Sequence, residues 1–318
     1  MKDRKILYQL DLDSRQSFTQ IGKKVGLKKD VVAYRVKRMQ DEGIIKNFYA
    51  VIDAYKLGYT VFRFYLVFQY VTPDIKKKII DYLVNEKHTW VVASIKGKYD
   101  LSVVLWVKDI DHFYAFWEKL LDNFGDYFAE KTFSLYIQSF AYRNSYLLID
   151  EFKPEDREKY EIVGGGEIAK IDEIDYQILN EIAVNARMPL IDLAEKLKCS
   201  SQMVNYRLNN LMKSGVIQAF RVGVALSQLG LRHFKVDINL KTHTQRKHIM
   251  SYIKYNPNLA FIATSAGVSD LELEFNVENE EKLNQIMEEL SQKFPGAIRN
   301  YSYFFVQESH KVRCIPEL

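Results

Sequence analysis

The chain has 318 residues, 47% of them hydrophobic, with a formal net charge of +4 and two cysteines, Cys199 and Cys314. That length accommodates two ordinary domains or four small ones, and the near-neutral balance excludes a dominating basic or acidic tail, so any affinity for nucleic acid must come from a local patch. The cysteines lack metal-like spacing, the longest apolar stretch (59–71) is too short to span a bilayer and holds Arg63 and Gln69, and "MKDRKILYQLDLDSRQ" lacks the apolar core of a signal peptide, so a cytoplasmic protein with reduced thiols and no membrane partner is expected.

In chain order, Ile6, Leu7 and Leu10 share one face of a first helix over 3–12. "SFTQ" (17–20) is a capping box, with Ser17 capping a second helix, Gln20 reaching back, and Gly26 ending it. A third helix begins near Lys28 and stops at Gly43. Three short helices with a tight turn between the last two match a helix-turn-helix unit, and "IIKNFYAVID" (44–53) reads as a strand giving a wing-like extension. The period then changes: Phe62, Phe64, Leu66, Phe68 and Tyr70 alternate along a strand. An amphipathic helix (73–86), a hairpin turning at Gly97 (90–107), a second helix (110–122) and a last strand (131–140) complete the ferredoxin-like order βαββαβ. Residues 147–170 are charged and run into Gly164, Gly165 and Gly166, the pattern of a linker with a hinge. No Lys-Ser/Thr follows these glycines, as a phosphate-cradling loop requires.

The chain then repeats itself. At an offset of 172, Arg15 falls on Arg187, Tyr34 on Tyr206, Arg35 on Arg207 and Gly43 on Gly215; further on, at an offset of 170, Gly97 meets Gly267 and Asp100 meets Asp270. The second copy opens its second helix near Pro189 and turns its hairpin at 267–270. The expected fold class is α+β, as two tandem units: helix-turn-helix domains over 1–53 and 171–225, ferredoxin-like domains over 54–146 and 226–318, and a linker over 147–170.

On a wheel of about 100° per residue, Val32, Val36 and Met39 form a core stripe on the third helix, as do Val204, Leu208 and Leu211 in the copy. The opposite face carries Asp30, Ala33, Tyr34 and Lys37 in copy one and Gln202, Asn205, Tyr206 and Asn209 in copy two, with Arg35 and Arg207 nearer the stripe. Such a helix presents its polar face to the DNA major groove. From Gly22 to Arg38 seven basic residues (Lys23, Lys24, Lys28, Lys29, Arg35, Lys37, Arg38) stand against Asp30, net +6; the matching window in copy two is net +2. Copy one suits phosphates, and the amides of copy two suit adenine edges. The plainer alternative is a solvated helix face.

A helix-turn-helix, then Leu57-Gly58, then a ferredoxin-like domain with "GKYDL" in its hairpin resembles the Lrp/AsnC (feast/famine) transcription regulators over nearly the whole chain, twice. That family ordinarily carries one unit per chain. The resemblance implies double-stranded DNA as partner, sheet-to-sheet pairing of the ferredoxin-like domains within or between chains, and a small effector, often an amino acid, bound between them. Carried over, Gly97, Lys98, Tyr99, Asp100, Thr132 and Ser134 line one effector site; the second copy keeps Gly267 and Asp270 but has Ser302 and Phe304 on its strand. Turn-capping alone is the competing role for these Gly and Asp residues. Siroheme decarboxylases resemble the same architecture, but the His-Asn-Tyr segment and following Arg that mark them are reduced here to His88, and the other histidines form no metal or triad spacing. No cofactor and no enzymatic activity are expected; a ligand sensor whose DNA binding has lapsed remains a third alternative.

Overall fold

The structure, a computed structural model, describes residues 1–317. The first unit opens with α1 (Lys2–Leu12), α2 (Phe18–Val25) and α3 (Lys29–Asp41), followed by β1 (Ile45–Ile52). The capping box forms in both directions between Ser17 and Gln20, and Gly26 ends α2 at φ 67°. Then come β2 (Thr60–Phe68), α4 (Pro73–Asn85), β3 (Thr89–Gly97), β4 (Leu101–Val107), α5 (Ile110–Phe124) and β5 (Phe128–Tyr142), the anticipated βαββαβ order. A short strand β6 (Tyr160–Val163) precedes the second unit: α6 (Glu173–Ile182), α7 (Leu190–Lys196), α8 (Ser201–Lys213), β7 (Ile217–Val224), β8 (Arg232–Leu240), α9 (Arg246–Ile253), β9 (Leu259–Ala266), β10 (Leu271–Val277), α10 (Glu280–Lys293) and β11 (Ile298–Val312). Among the described residues no helix is long and apolar enough to cross a membrane.

The two ferredoxin-like sheets join edge to edge. The order β2-β4-β3-β11-β8-β10-β9-β5 closes on itself through an added β2–β5 pairing, with β6 appended to β5. The last strand of each copy makes both closures: β11 pairs with β8 at its start and with β3 of the first copy at its end, and β5 pairs with β2 and then with β9. Helices cover the outside, over one core holding Phe64, Leu83, Leu105 and Trp117 and another holding Phe234, Ile262, Leu273 and Met287. The inner faces meet each other, so β2 is buried on both sides: Phe64 and Leu66 outward, Val61, Arg63 and Tyr65 inward.

The wing-like strands of the two copies pair with each other. β1 pairs antiparallel with β7, and the two helix-turn-helix domains share one core that includes Val32, Val36 and Met39 with Val204, Leu208 and Leu211. A reciprocal clasp reinforces this: Arg15 Nη1 donates to the Ala186 carbonyl at 2.6 Å, and Arg187 Nη1 donates to the carbonyls of Ser14 and Gln16. Each guanidinium also lies over an aromatic ring of the other domain, Arg15 over Phe220 and Arg187 over Phe18.

Residues 147–170 depart from a hinged linker. Tyr160–Val163 pair with β5, and Gly164 is wedged against that strand, where a Cβ would come within 2.6 Å of the Ile137 carbonyl oxygen. Arg157 is 0% exposed and donates to the carbonyls of Lys254, Arg143 and Leu259 at 2.7, 2.7 and 2.6 Å, with its guanidinium over Tyr142. Burial presses its pKa down to about 10, so it stays charged at neutral pH. Beside it, buried Arg221 of β7 donates to Glu161 of β6 and to the Tyr142 carbonyl, and it lies 3.7 Å from Asp11 at the end of α1. The segment is therefore a tie between both helix-turn-helix domains and the closed sheet. Arg157→Met strips three carbonyls, one of them fully buried, of their donor and is expected to cost about 3 kcal/mol of stability, read as a lowered urea midpoint.

Candidate nucleic-acid interface and effector seam

The core stripes of α3 and α8 are buried, which turns the opposite faces outward. Lys28, Lys29, Asp30, Tyr34 and Lys37 are exposed and Ala33 is half-buried; Gln202, Asn205, Tyr206 and Asn209 are all exposed. The arginines lie differently. Arg35 and Arg38 both donate to the Asp3 carboxylate, at 2.8 and 2.5 Å, and Arg207 bonds Asp172 and Asp175 at 2.7 and 2.9 Å. Each is half-exposed but committed to the first helix of its own domain, so the lysines carry most of the uncommitted positive charge on copy one. Asp3 is held below the usual carboxylate range: partial burial pushes its pKa up, and Arg35 and Arg38 more than offset this.

The hairpin turns lie at the two seams. Gly97 (φ 142°) abuts Phe304 and the Tyr303 carbonyl of β11, and Gly267 (φ 136°) abuts Phe133 and Ser134 of β5, so a Cβ at either would meet backbone of the other copy within 2.9 Å or less. The Asp100 carboxylate accepts the Phe68 amide at 2.8 Å, and Asp270 accepts the Leu240 amide at 2.7 Å, matched roles at equivalent positions. Tyr99 is buried and stacks on Tyr65 at 4.5 Å; Lys98 is exposed, with its ammonium over the Tyr99 ring. Thr132 is half-buried, and Ser134 is buried and donates to Glu272 at 3.2 Å. Thus the Gly97–Asp100 turn is gathered at one seam with β11, while Ser134 belongs to a network between the sheets.

That network escaped the sequence reading. Glu272, 1% exposed, accepts hydrogen bonds from Arg63 (3.2 Å), Tyr136 (2.7 Å), Ser134, Ser265 (2.8 Å) and Lys235. Arg63 also reaches Glu274 at 3.5 Å, and Lys235 lies 3.2 Å from Asp237. Burial opposes the charge on Glu272, and Lys235 and Arg63 more than offset it, holding its carboxyl below the usual range. Glu274 is likewise opposed by burial but held at about 2 by the His233 hydrogen bond at 3.2 Å. Burial lowers the His233 pKa and Glu274 raises it, with a net upward shift. The register makes the asymmetry plain: Arg63 sits opposite Val104, and its counterpart Lys235 opposite Glu274; Tyr65 sits opposite Ser102, and its counterpart Asp237 opposite Glu272. Both copies keep a cation, Arg63 and Lys235, but the three acids Asp237, Glu272 and Glu274 all come from copy two. The sequence signals were Arg63 interrupting an apolar stretch and the alternation of charged residues within otherwise apolar strands, "KVDIN" and "LELEF".

His88 lies outside this space, its Nδ1 3.1 Å from Glu86 and its ring edge-on to His112. Among the described residues no cluster of His, Cys, Asp or Glu could hold a metal ion. Cys199 and Cys314 are free thiols.

Paired, outward-facing helices on a fused head, over a closed pair of ferredoxin-like sheets, are the arrangement of a helix-turn-helix DNA-binding protein. A winged helix-turn-helix DNA-binding family model matches residues 2–46 and again 171–218. The HTH-type transcriptional regulator PF1231 of Pyrococcus furiosus, itself uncharacterised, is 31% identical over 123 residues, 39% of this chain and 80% of that protein. LrpC of Bacillus subtilis, another HTH-type transcriptional regulator, is 27% identical over 122 residues, 38% of this chain and 85% of its own. The chain belongs to the Lrp/AsnC family of transcription regulators, in tandem-duplicated form. The siroheme decarboxylase NirDL matches over 100% of this chain and 94% of its own with a TM-score of 0.65 at 12% identity, a likeness of fold.

The inter-sheet network has a pH signature. The raised folded pKa of His233 gives stability fully present below the ordinary imidazole value, about 6.5, and lost as pH rises through the folded value. The Glu274 contribution runs the other way: it is present above the ordinary carboxyl value and lost only as pH falls toward about 2. Melting temperature is therefore expected to decline, in part through His233, as pH rises above the ordinary imidazole value of about 6.5 and through the raised folded one, and His233→Gln is expected to flatten that decline in paired thermal melts.

Proposed function

We propose that this chain is a sequence-specific transcription regulator in which α3 and α8 act as one covalent pseudo-dimer and read unlike half-sites. The observation that carries the proposal is the fused head: one core, one β1–β7 ribbon and a reciprocal arginine clasp hold two outward faces of different chemistry. In ordinary helix-turn-helix dimers two-fold symmetry makes the half-sites alike. Here Asp30, Ala33 and Lys37 stand where Gln202, Asn205 and Asn209 stand in the second copy, so a non-palindromic site is expected. The lysines of copy one supply phosphate affinity, and the amides of copy two supply base preference.

A small-molecule effector, of which an amino acid is the leading class, is part of the proposal. What supports it is position: a ligand beside Gly97–Asp100 adjoins the β3–β11 seam, where contact would bear on both copies at once.

Selection from random DNA is expected to return asymmetric half-sites; a perfect palindrome would overturn the pseudo-dimer. Replacing Lys28, Lys29 and Lys37 with Ala is expected to flatten the salt dependence by about 0.9 per lost phosphate contact. Asn205→Ala with Asn209→Ala should instead relax base preference at unchanged slope, and equal slope losses from the two sets would count against the division of labour. A panel of amino acids is expected to include one that raises the melting temperature of the full chain; if none does, the effector half of the proposal goes.

A further inference from the structure

Two positions on each reading helix are apolar and face outward. Tyr34 and Tyr206 are each 67% exposed, and one turn earlier Val31 and Met203 are 38% and 41% exposed. A single exposed apolar residue calls for no explanation. This pair recurs at equivalent positions in two copies whose polar neighbours on the same face have all changed: Lys28, Lys29, Asp30 and Lys37 have become Ser200, Ser201, Gln202 and Asn209. The tyrosines lie opposite the core stripes Val32–Val36–Met39 and Val204–Leu208–Leu211, so they point where the groove would lie. Both pairs fall in the first half of their helix, the part that meets base edges in helix-turn-helix complexes. The arginines beside them, Arg35 and Arg207, are tied to Asp3 and to Asp172 and Asp175, leaving the apolar edge uncovered.

Resting on the DNA-binding reading above, we propose that Val31–Tyr34 and Met203–Tyr206 recognise the 5-methyl groups of thymine in the major groove. The thymine methyl is the apolar mark that the major groove offers and the one that apolar side chains contact. The lysines bring copy one to the backbone from either end of its pair, whereas copy two has fewer charges and depends more on such contacts. What the two half-sites share is then thymine at matched positions, and what distinguishes them is the polar code around it.

The test uses the full chain and its preferred duplex from random selection, resynthesised with deoxyuridine in place of thymidine one position at a time. Uracil keeps the Watson–Crick edge and lacks the methyl. Affinity is expected to fall about three- to fivefold at one or two positions in each half-site, the scale of one buried methyl contact. Tyr34→Ala should abolish that sensitivity in one half-site and Tyr206→Ala or Met203→Ala in the other, while Tyr34→Phe, which keeps the ring, retains it. These side chains are exposed, and unchanged melting temperatures of the variants show that folding is not the cause. Tight, selective binding indifferent to deoxyuridine everywhere overturns this inference and leaves the DNA-binding reading standing. A deoxyuridine effect that persists unchanged in the variants overturns the assignment to these residues. Absence of any selective, salt-dependent DNA binding removes the reading beneath and the inference with it.

Discussion

Each ferredoxin-like sheet, taken alone, would end in two unsatisfied edges, and the rest of the structure depends on how those edges are paired. The free edges are β3 and β5 in the first copy and β9 and β11 in the second, and the 15-residue last strands β5 and β11 each run on past their own sheet to pair with the other's exposed hairpin strand. An unpaired edge leaves a row of backbone donors and acceptors that invites association with other chains. Closing both seams removes those rows and brings the two inner faces together. Because both partners lie on one chain, closure needs no second molecule.

The inner faces are unlike, and this gives the closure direction. Two second-copy sheets placed face to face would set Asp237, Glu272 and Glu274 against the same three acids, without Arg63 to answer them. Removing one partner of a buried ion pair is costly, more so than the intact pair is worth. The inter-sheet charges therefore disfavour wrong pairings more than they add to the right one. Above them, Arg157 and Arg221 tie β6, the end of β5, the end of α1 and β7 together through buried hydrogen bonds.

What was legible in the sequence was local. The Ser17–Gln20 box and the Val32–Val36–Met39 stripe lie within one or two helical turns, and the βαββαβ order follows from period changes that need no knowledge of partners. Equivalence of the copies was readable because a gapless offset is a one-dimensional property. Contacts between distant segments were not readable. Asp3 captures Arg35 and Arg38 from 32 and 35 residues away, which changed the count of uncommitted charges on α3. Arg63 was visible as an interruption in an apolar strand, but its partner Glu272 lies 209 residues on. Strand β6 was hidden by the charged composition around it: its Glu161 looked like a solvated residue of a tether and is the buried mate of Arg221.

The fused head has a mechanical consequence. With β1 laddered to β7 and Arg15 and Arg187 locked across the pair, the span between α3 and α8 behaves as a set length, like the jaws of a caliper. A tethered pair of independent readers would absorb a half-site placed one base pair too near or too far by flexing its tether. On the pseudo-dimer reading proposed above, the duplex would have to absorb the mismatch, by twisting or bending between the half-sites, at an energy that depends on the steps being deformed. Base pairs that no side chain touches would then be selected for compliance: stiff A-tracts would penalise a misfit spacing and pliant pyrimidine–purine steps would forgive it.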